Sequence, residues 1–167
     1  MEFKIAGGHV VQVDEIDFWT LSHHCWRLDS DGYVIRTVKG RRVALHNEIM
    51  RPPNGMMVDH VHGNKLDCRR SQMRVCTHQQ NLQNSAISKN NTTGYKGVSK
   101  TKSGKYCAKI TVNKKAVNLG EYKTAIEAAR AYDIAAIQYF GDFARLNLSE
   151  DQAADLVYEV VTLDSVP

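Results

Sequence analysis

The chain has only four cysteines, Cys25, Cys68, Cys76 and Cys107, and no two of them form a C-x-x-C pair. That sparsity excludes a disulfide-stapled scaffold and fits reduced thiols in a cytoplasmic protein. No apolar run approaches eighteen residues, and no charged leader precedes a hydrophobic stretch, so neither a membrane span nor a secretory signal is expected. There is no Gly-rich phosphate loop and no convincing Ser-His-Asp or Cys-His arrangement, which sets aside P-loop and covalent-nucleophile chemistry. Basic residues are missing from one end: residues 149–167 carry Glu150, Asp151, Asp155, Glu159 and Asp164 but no Lys or Arg, which leaves a net charge of +9 on residues 1–148. A basic body of this kind suits a polyanion, because each Lys or Arg placed on a phosphate releases a counterion.

What is present has an ordinary globular composition, 43% hydrophobic and 24% charged, which excludes a disordered chain. Residues 1–50 read as short strands, His9–Val13, Gly32–Arg36 and Arg41–Leu45, with hairpin signals at Asp31-Gly32 and Lys39-Gly40. They predict a small antiparallel sheet with Trp19, Leu21 and Trp26 in its core. Pro52-Pro53-Asn54-Gly55 breaks this pattern, and a segment rich in His, Asn, Arg and Gln runs from Met56 to about Asn84.

The polar stretch 85–93 reads as a linker. Beyond it, Tyr95–Lys100, Lys105–Val112 and Ala116–Tyr122 predict three strands. Ala125, Ala128, Ala129, Tyr132, Ala135, Ala136 and Phe140 then recur at helical spacing between a Thr124 N-cap and a Gly141 stop. Three strands and one helix would form a two-layer unit. A last short helix is expected from Ser149 to Val161, within an acidic tail over 149–167.

The string Val58-Asp59-His60-Val61-His62-Gly63-Asn64-Lys65-Leu66-Asp67, continuing to Asn81, carries the chemistry. Hydrolysis of a phosphodiester needs a hard cation to neutralise developing charge and a base to deprotonate water. Asp59 and Asn81 are oxygen donors of the type such a cation prefers. His60, next to one ligand but pointing the other way in an extended segment, is the natural base. A zinc site drawn from His60, His62, Cys68, Cys76 and His78 is the alternative, although paired C-x₂₋₄-C spacing is absent.

This string resembles the HNH nuclease family in its homing-endonuclease branch, whose pattern runs D-H-x-x-G-N-x-x-D-N-R-x-x-N-L-R-x-x-T-x-x-x-N. The resemblance covers residues 41–84, with Asp59, His60, Gly63, Asn64, Asp67, Arg69, Arg74, Thr77 and Asn81 in register. It implies two strands and a helix around one divalent metal, Mg²⁺ or Mn²⁺, held by Asp59 and Asn81, with His60 activating water. Upstream, Leu45-His46-Asn47-Glu48-Ile49-Met50 is similar to an L-H-R-L-I-M lead-in, from which Asn47 and Glu48 depart. The family's middle Asn, which bonds backbone across the two strands, falls at Gln72, and the Asn before the Arg falls at Cys68. A catalytically weakened or inactive DNA-binding regulator on the same fold is therefore the second functional expectation.

The downstream string Gly94-Tyr95-Lys96-Gly97-Val98, Gly104–Ile110, Leu119-Gly120-Glu121-Tyr122 and Ala128–Asp133 resembles APETALA/ethylene-response-type DNA-binding domains, in which a three-stranded sheet enters the major groove. The expected architecture is thus α+β. An HNH nuclease domain spans 1–84, with its ββα-metal motif about 56–84; a linker covers 85–93, the APETALA-type domain 94–148 and the acidic tail 149–167. Arg69, Arg70, Arg74, Lys96, Lys100, Lys102, Lys105 and Lys109 are the expected contacts to double-stranded DNA. The chain, as monomer or homodimer, is expected to be a site-specific endonuclease that nicks one strand or cuts both.

Overall fold

The computed structural model describes residues 1–149, so the helix expected over Ser149–Val161 lies outside the described residues. The chain is a mixture of small antiparallel sheets and a few helices, in two compact units divided between Leu82 and Gln83.

In the first unit, β1 (Glu2–Lys4) and β2 (Val10–Gln12) pair antiparallel, with Phe3 opposite Val11. Next comes α1 (Glu15–Leu21), where no helix was expected. Asp14 precedes it, and Glu15 and Asp17 occupy its first turn, where carboxylates meet the positive end of the helix. Helical spacing turns Phe18 and Leu21 inward but Ile16 and Trp19 outward, so Trp19 is 63% exposed and does not fill the core. Trp26 does: it is buried, and its indole N–H donates to the Leu21 carbonyl at 2.7 Å. Strands β3 (Arg27–Leu28), β4 (Val34–Val38) and β5 (Arg41–Ala44) form an antiparallel sheet in that order. Helix α2 (Leu45–Met50) follows directly and buries Leu45, His46 and Ile49. Strands β6 (Met57–His60) and β7 (Met73–Cys76) pair antiparallel, and α3 (His78–Gln83) closes the series. Val11, Val13, Leu21, Trp26, Leu45 and Val58 share one core.

The second unit contains β8 (Val98–Lys100), β9 (Tyr106–Val112) and β10 (Lys115–Tyr122), an antiparallel sheet with β9 at its centre, covered by α4 (Ala125–Phe140). Thr124 and Glu127 make a reciprocal capping box at the start of α4. Ala128, Ala129 and Ala136 are fully buried, and their small side chains let the helix sit close to the sheet. Buried Asp133 accepts from the Asn147 main-chain N–H at 2.9 Å and the Leu148 N–H at 2.9 Å, which ties the segment after α4 back onto it. The stretch before β8 is hydrogen-bonded too: Asn91 Oδ1 accepts from Gly94 N–H at 2.7 Å, and Thr93 Oγ1 donates to the Val98 carbonyl at 3.0 Å.

Gly97 marks the tightest point of this unit. Its φ is +75°, and a Cβ there would lie 2.1 Å from Tyr132 Cδ2 and 2.6 Å from the Lys109 carbonyl oxygen. Gly97→Ala therefore combines left-handed strain with overlap against backbone, a cost of about 3 kcal/mol or more. The melting temperature of the second unit should fall on the order of 10–20 °C by differential scanning calorimetry.

Candidate active site

The β6–β7 hairpin sets the register of the site. Asp59 lies opposite Arg74 and His60 opposite Met73, and strand alternation sends the two β6 side chains to different faces. Their partners differ accordingly. Asp59, 6% exposed, has its Oδ2 held by Arg74 Nε at 2.9 Å and Nη2 at 2.8 Å. His60, 5% exposed, packs its ring against His46 (centroids 5.4 Å, edge to face) and Tyr33 (6.2 Å), with Cys68 Sγ 3.8 Å from Nε2.

Between the strands, residues 61–72 are held by backbone hydrogen bonds, with one side-chain amide, Asn64, whose Oδ1 accepts from the Leu66 N–H at 3.2 Å. The Gly63 N–H donates to the His60 carbonyl at 2.8 Å, and the Val61 N–H to the Gln72 carbonyl at 2.9 Å. Gln12 of β2 donates to the Leu66 carbonyl at 2.9 Å and accepts from the Cys68 N–H at 2.8 Å, so the loop is laced onto the N-terminal hairpin. Among the described residues the Gln72 side-chain amide makes no hydrogen bond; the cross-strand link comes from its carbonyl. A main-chain link is insensitive to exchanging Asn for Gln, which is why this departure from the pattern does not open the hairpin.

The electrostatics keep the imidazoles neutral. Burial lowers the His60 pKa below its ordinary value, Asp59 partly offsets this, and Lys65 lowers it further. His46 is pushed down to about 4, by burial first and then by His60 and Lys65. Lys65 is held in place by the face of the Tyr33 ring, 4.0 Å from Nζ, and by the Asp31 carbonyl at 2.7 Å. The Cys68 thiol is pushed up to about 12 by burial and by Asp67, so it stays protonated.

The depressed His46 pKa has a consequence for stability. In the unfolded chain this imidazole takes up a proton near its ordinary pKa of 6.5; in the folded chain it does so only near 4. Between these values the unfolded state binds the extra proton, so stability is full above about pH 6.5 and is lost as pH falls toward 4. The urea midpoint should drop over that window, and His46→Gln should make the drop shallower.

The structure brings Asp59 and His60 together on β6 and places Asn81 on α3, on the rim of a cleft of about 380 Å³ shared with Tyr33, Arg42, His46, Asn47 and Met57. Among the described residues no group of three or more His, Cys, Asp or Glu side chains is placed to hold a metal ion, so the zinc alternative has no ligand set there. The available donors are a carboxylate and an amide oxygen, chemistry that suits a hard divalent cation completing its shell with phosphate and water.

The eight basic residues are placed unequally. Arg69 grips Asp67 (2.8 and 2.6 Å), Arg70 grips Asp17 (3.0 and 2.8 Å), and Arg74 grips Asp59. Lys96 is half-buried, donating to the carbonyls of Gln83 at 2.5 Å and Ser85 at 2.8 Å, and burial together with Arg145 lowers its pKa to about 8. Lys100, Lys102, Lys105 and Lys109 are exposed, and Lys109 stands on the face of β9 away from α4, opposite Asn118. Sequence reasoning missed Tyr33, His46 and Lys65 as neighbours of His60. His46 lay within the resembling lead-in, but nothing local signals that it meets an imidazole fourteen positions away.

The family model for HNH endonucleases matches residues 48–83, the stretch that holds β6, β7, α3 and the loop between the strands. An uncharacterised HNH endonuclease of Acanthamoeba polyphaga mimivirus is 32% identical over 139 residues, 79% of this chain and 72% of that protein. Those 139 aligned positions exceed the length of the first unit, so the similarity extends into the second. With this identity across most of both chains, and with Asp59, His60 and Asn81 inside the matched segment, the chain belongs to the HNH endonuclease family.

Proposed function

We propose that this protein is a site-specific DNA endonuclease of the homing type, cutting one phosphodiester at a time with His60 as general base. One observation carries the reading: a buried imidazole on β6, its pKa held below the ordinary value by burial, stands beside a carboxylate fixed by Arg74, with the Asn81 amide on the helix that follows β7. His60 takes a proton from the attacking water, the new P–O bond forms as the bond to the 3′ oxygen breaks, that oxygen takes a proton from solvent water, and 5′-phosphate and 3′-hydroxyl ends result. A divalent ion, Mg²⁺ or Mn²⁺, held by Asp59 and Asn81 would neutralise charge on the phosphate and the leaving oxygen. Arg74 orients the Asp59 carboxylate for that task.

The second unit serves as the reader of double-stranded DNA in this proposal, in the manner of the APETALA-type domains it resembles. The sheet face turned away from α4 supports this: it is polar, presents Lys109 at its centre beside Asn118 and Thr111, and has Lys102 and Lys105 in the adjoining turn. Lysine supplies point charge without a bidentate fork, so this face adds affinity more than base discrimination. Two observations weigh against the inactive alternative. The Gln72 carbonyl keeps the hairpin joined, and Cys68 packs tightly against His60. No helix of the described residues is long and apolar enough to cross a membrane.

The test is conversion of supercoiled plasmid to the nicked form with Mg²⁺, wild type against His60→Ala. Absence of His60-dependent nicking on DNA that the protein binds overturns the reading.

A further inference from the structure

The cleft beside Asn81 has a composition that phosphodiester hydrolysis alone does not require. At about 380 Å³ it lies at the small end of sites that enclose a single small molecule, roughly 300–1,000 Å³, and has no room for a duplex. Two of its walls are rings, Tyr33 and His46, set edge to face with centroids 5.2 Å apart, and a third is the thioether chain of Met57. Besides the Tyr33 hydroxyl and the His46 ring, its polar groups are the Arg42 guanidinium, which is paired with Asp29, and two amides, Asn81, assigned above to the metal, and Asn47. Asn47 is exposed on α2, and among the described residues its side chain makes no hydrogen bond. It is also one of the two positions where the chain departs from the L-H-R-L-I-M pattern.

We propose that this cleft holds the unstacked base of the nucleotide next to the scissile phosphate, with Asn47 reading that base as adenine. The proposal rests on the DNA endonuclease reading above. A planar heterocycle is the part of a nucleic acid that fits between aromatic and thioether walls, because every base offers a π-face to stack or pack against. A carboxamide carries a donor and an acceptor side by side, the complement of the N6 amino group and N7 of adenine. Asn81, a proposed metal ligand, forms part of the same rim, so the nucleotide entering the cleft is the one flanking the cut. Removing that base from its stack costs energy, which a preformed cleft and an amide awaiting a partner offset. Sequence readout would then come partly from the cutting unit and not only from the sheet of the second unit.

The experiment maps the nick on plasmid to the nucleotide, then measures kcat/KM on duplexes carrying each of the four bases, or an abasic site, at the two flanking positions. The wild type should prefer adenine on one side of the cut by about tenfold, with the abasic substrate no better than the other bases. Asn47→Leu should bring the adenine substrate down to the level of the other three. Asn47→Asp, which only accepts hydrogen bonds, should move the preference to cytosine, whose N4 donates. A flat wild-type profile overturns the base subsite while leaving the endonuclease reading in place; a preference that survives both variants removes Asn47 from it. Loss of His60-dependent nicking altogether overturns both readings.

Discussion

His60→Ala should lower the nicking rate by about 10³-fold while leaving DNA affinity within about a factor of two, measured by single-turnover plasmid nicking and by equilibrium binding. General-base contributions run roughly 10²–10⁴-fold, and a solvent-excluded imidazole held neutral belongs toward the upper part of that range. The surroundings of His60 argue for the size of the effect. Burial and the positive charge of Lys65 both disfavour imidazolium, so the base form dominates at neutral pH without relying on bulk solvent. The rings of His46 and Tyr33 and the sulfur of Cys68 leave the imidazole little freedom to rotate, which makes its position part of its reactivity. Alanine removes the base and leaves a gap that water can fill, so binding through the exposed lysines of the second unit persists. His60→Asn, which fills the space without a titratable nitrogen, should be as inactive as alanine. An active His60→Asn would mean that the imidazole packs and does not catalyse.

The residues proposed for this site stand out in the sequence because they are local in the chain. Asp59 and His60 are neighbours on one strand, and an extended backbone alone separates their side chains onto two faces. What the sequence did not disclose is contributed from far away along the chain. Arg74 reads as one more basic residue in a basic protein; only the β6–β7 register, pairing it with Asp59, turns it from a phosphate contact into a clamp on a carboxylate. Arg69 and Arg70 similarly spend their charge on Asp67 and Asp17, the latter on a helix that strand patterning in residues 1–50 did not reveal. Lys96, counted with the lysines of the sheet, points at main-chain carbonyls instead. Charge counting locates a basic region but cannot tell a solvated cation from one already committed. Trp19 is the apolar counterpart: bulk argued for the core, but a seven-residue helix with Phe18 and Leu21 inward has no inward place for it.

The clamp makes Arg74→Met the most destabilising substitution expected in the first unit. Asp59 and Arg74 have side-chain exposures of 8% and 18%, and both Nε and Nη2 of Arg74 reach a single carboxylate oxygen. Removing the guanidinium leaves a buried carboxylate without its cation, a loss of about 3–5 kcal/mol that should appear as a lower urea midpoint. Nicking should fall by about 10²-fold or more even at temperatures where the variant is fully folded, because a carboxylate displaced by about 1 Å no longer presents its oxygen where the reaction needs it. Arg74→Lys retains charge but offers a single ammonium in place of two donors on a rigid plane, so stability should be partly restored and activity much less so. The double variant Asp59→Leu/Arg74→Met separates the two roles. With both charges gone, the buried pair no longer needs mutual compensation, so stability should recover toward wild type, as expected for a strongly coupled pair. Activity should not recover at all, since the carboxylate itself is lost. If instead the double variant is as unstable as the sum of its single changes, Arg74 packs independently of Asp59, and the clamp has no part in presenting the carboxylate.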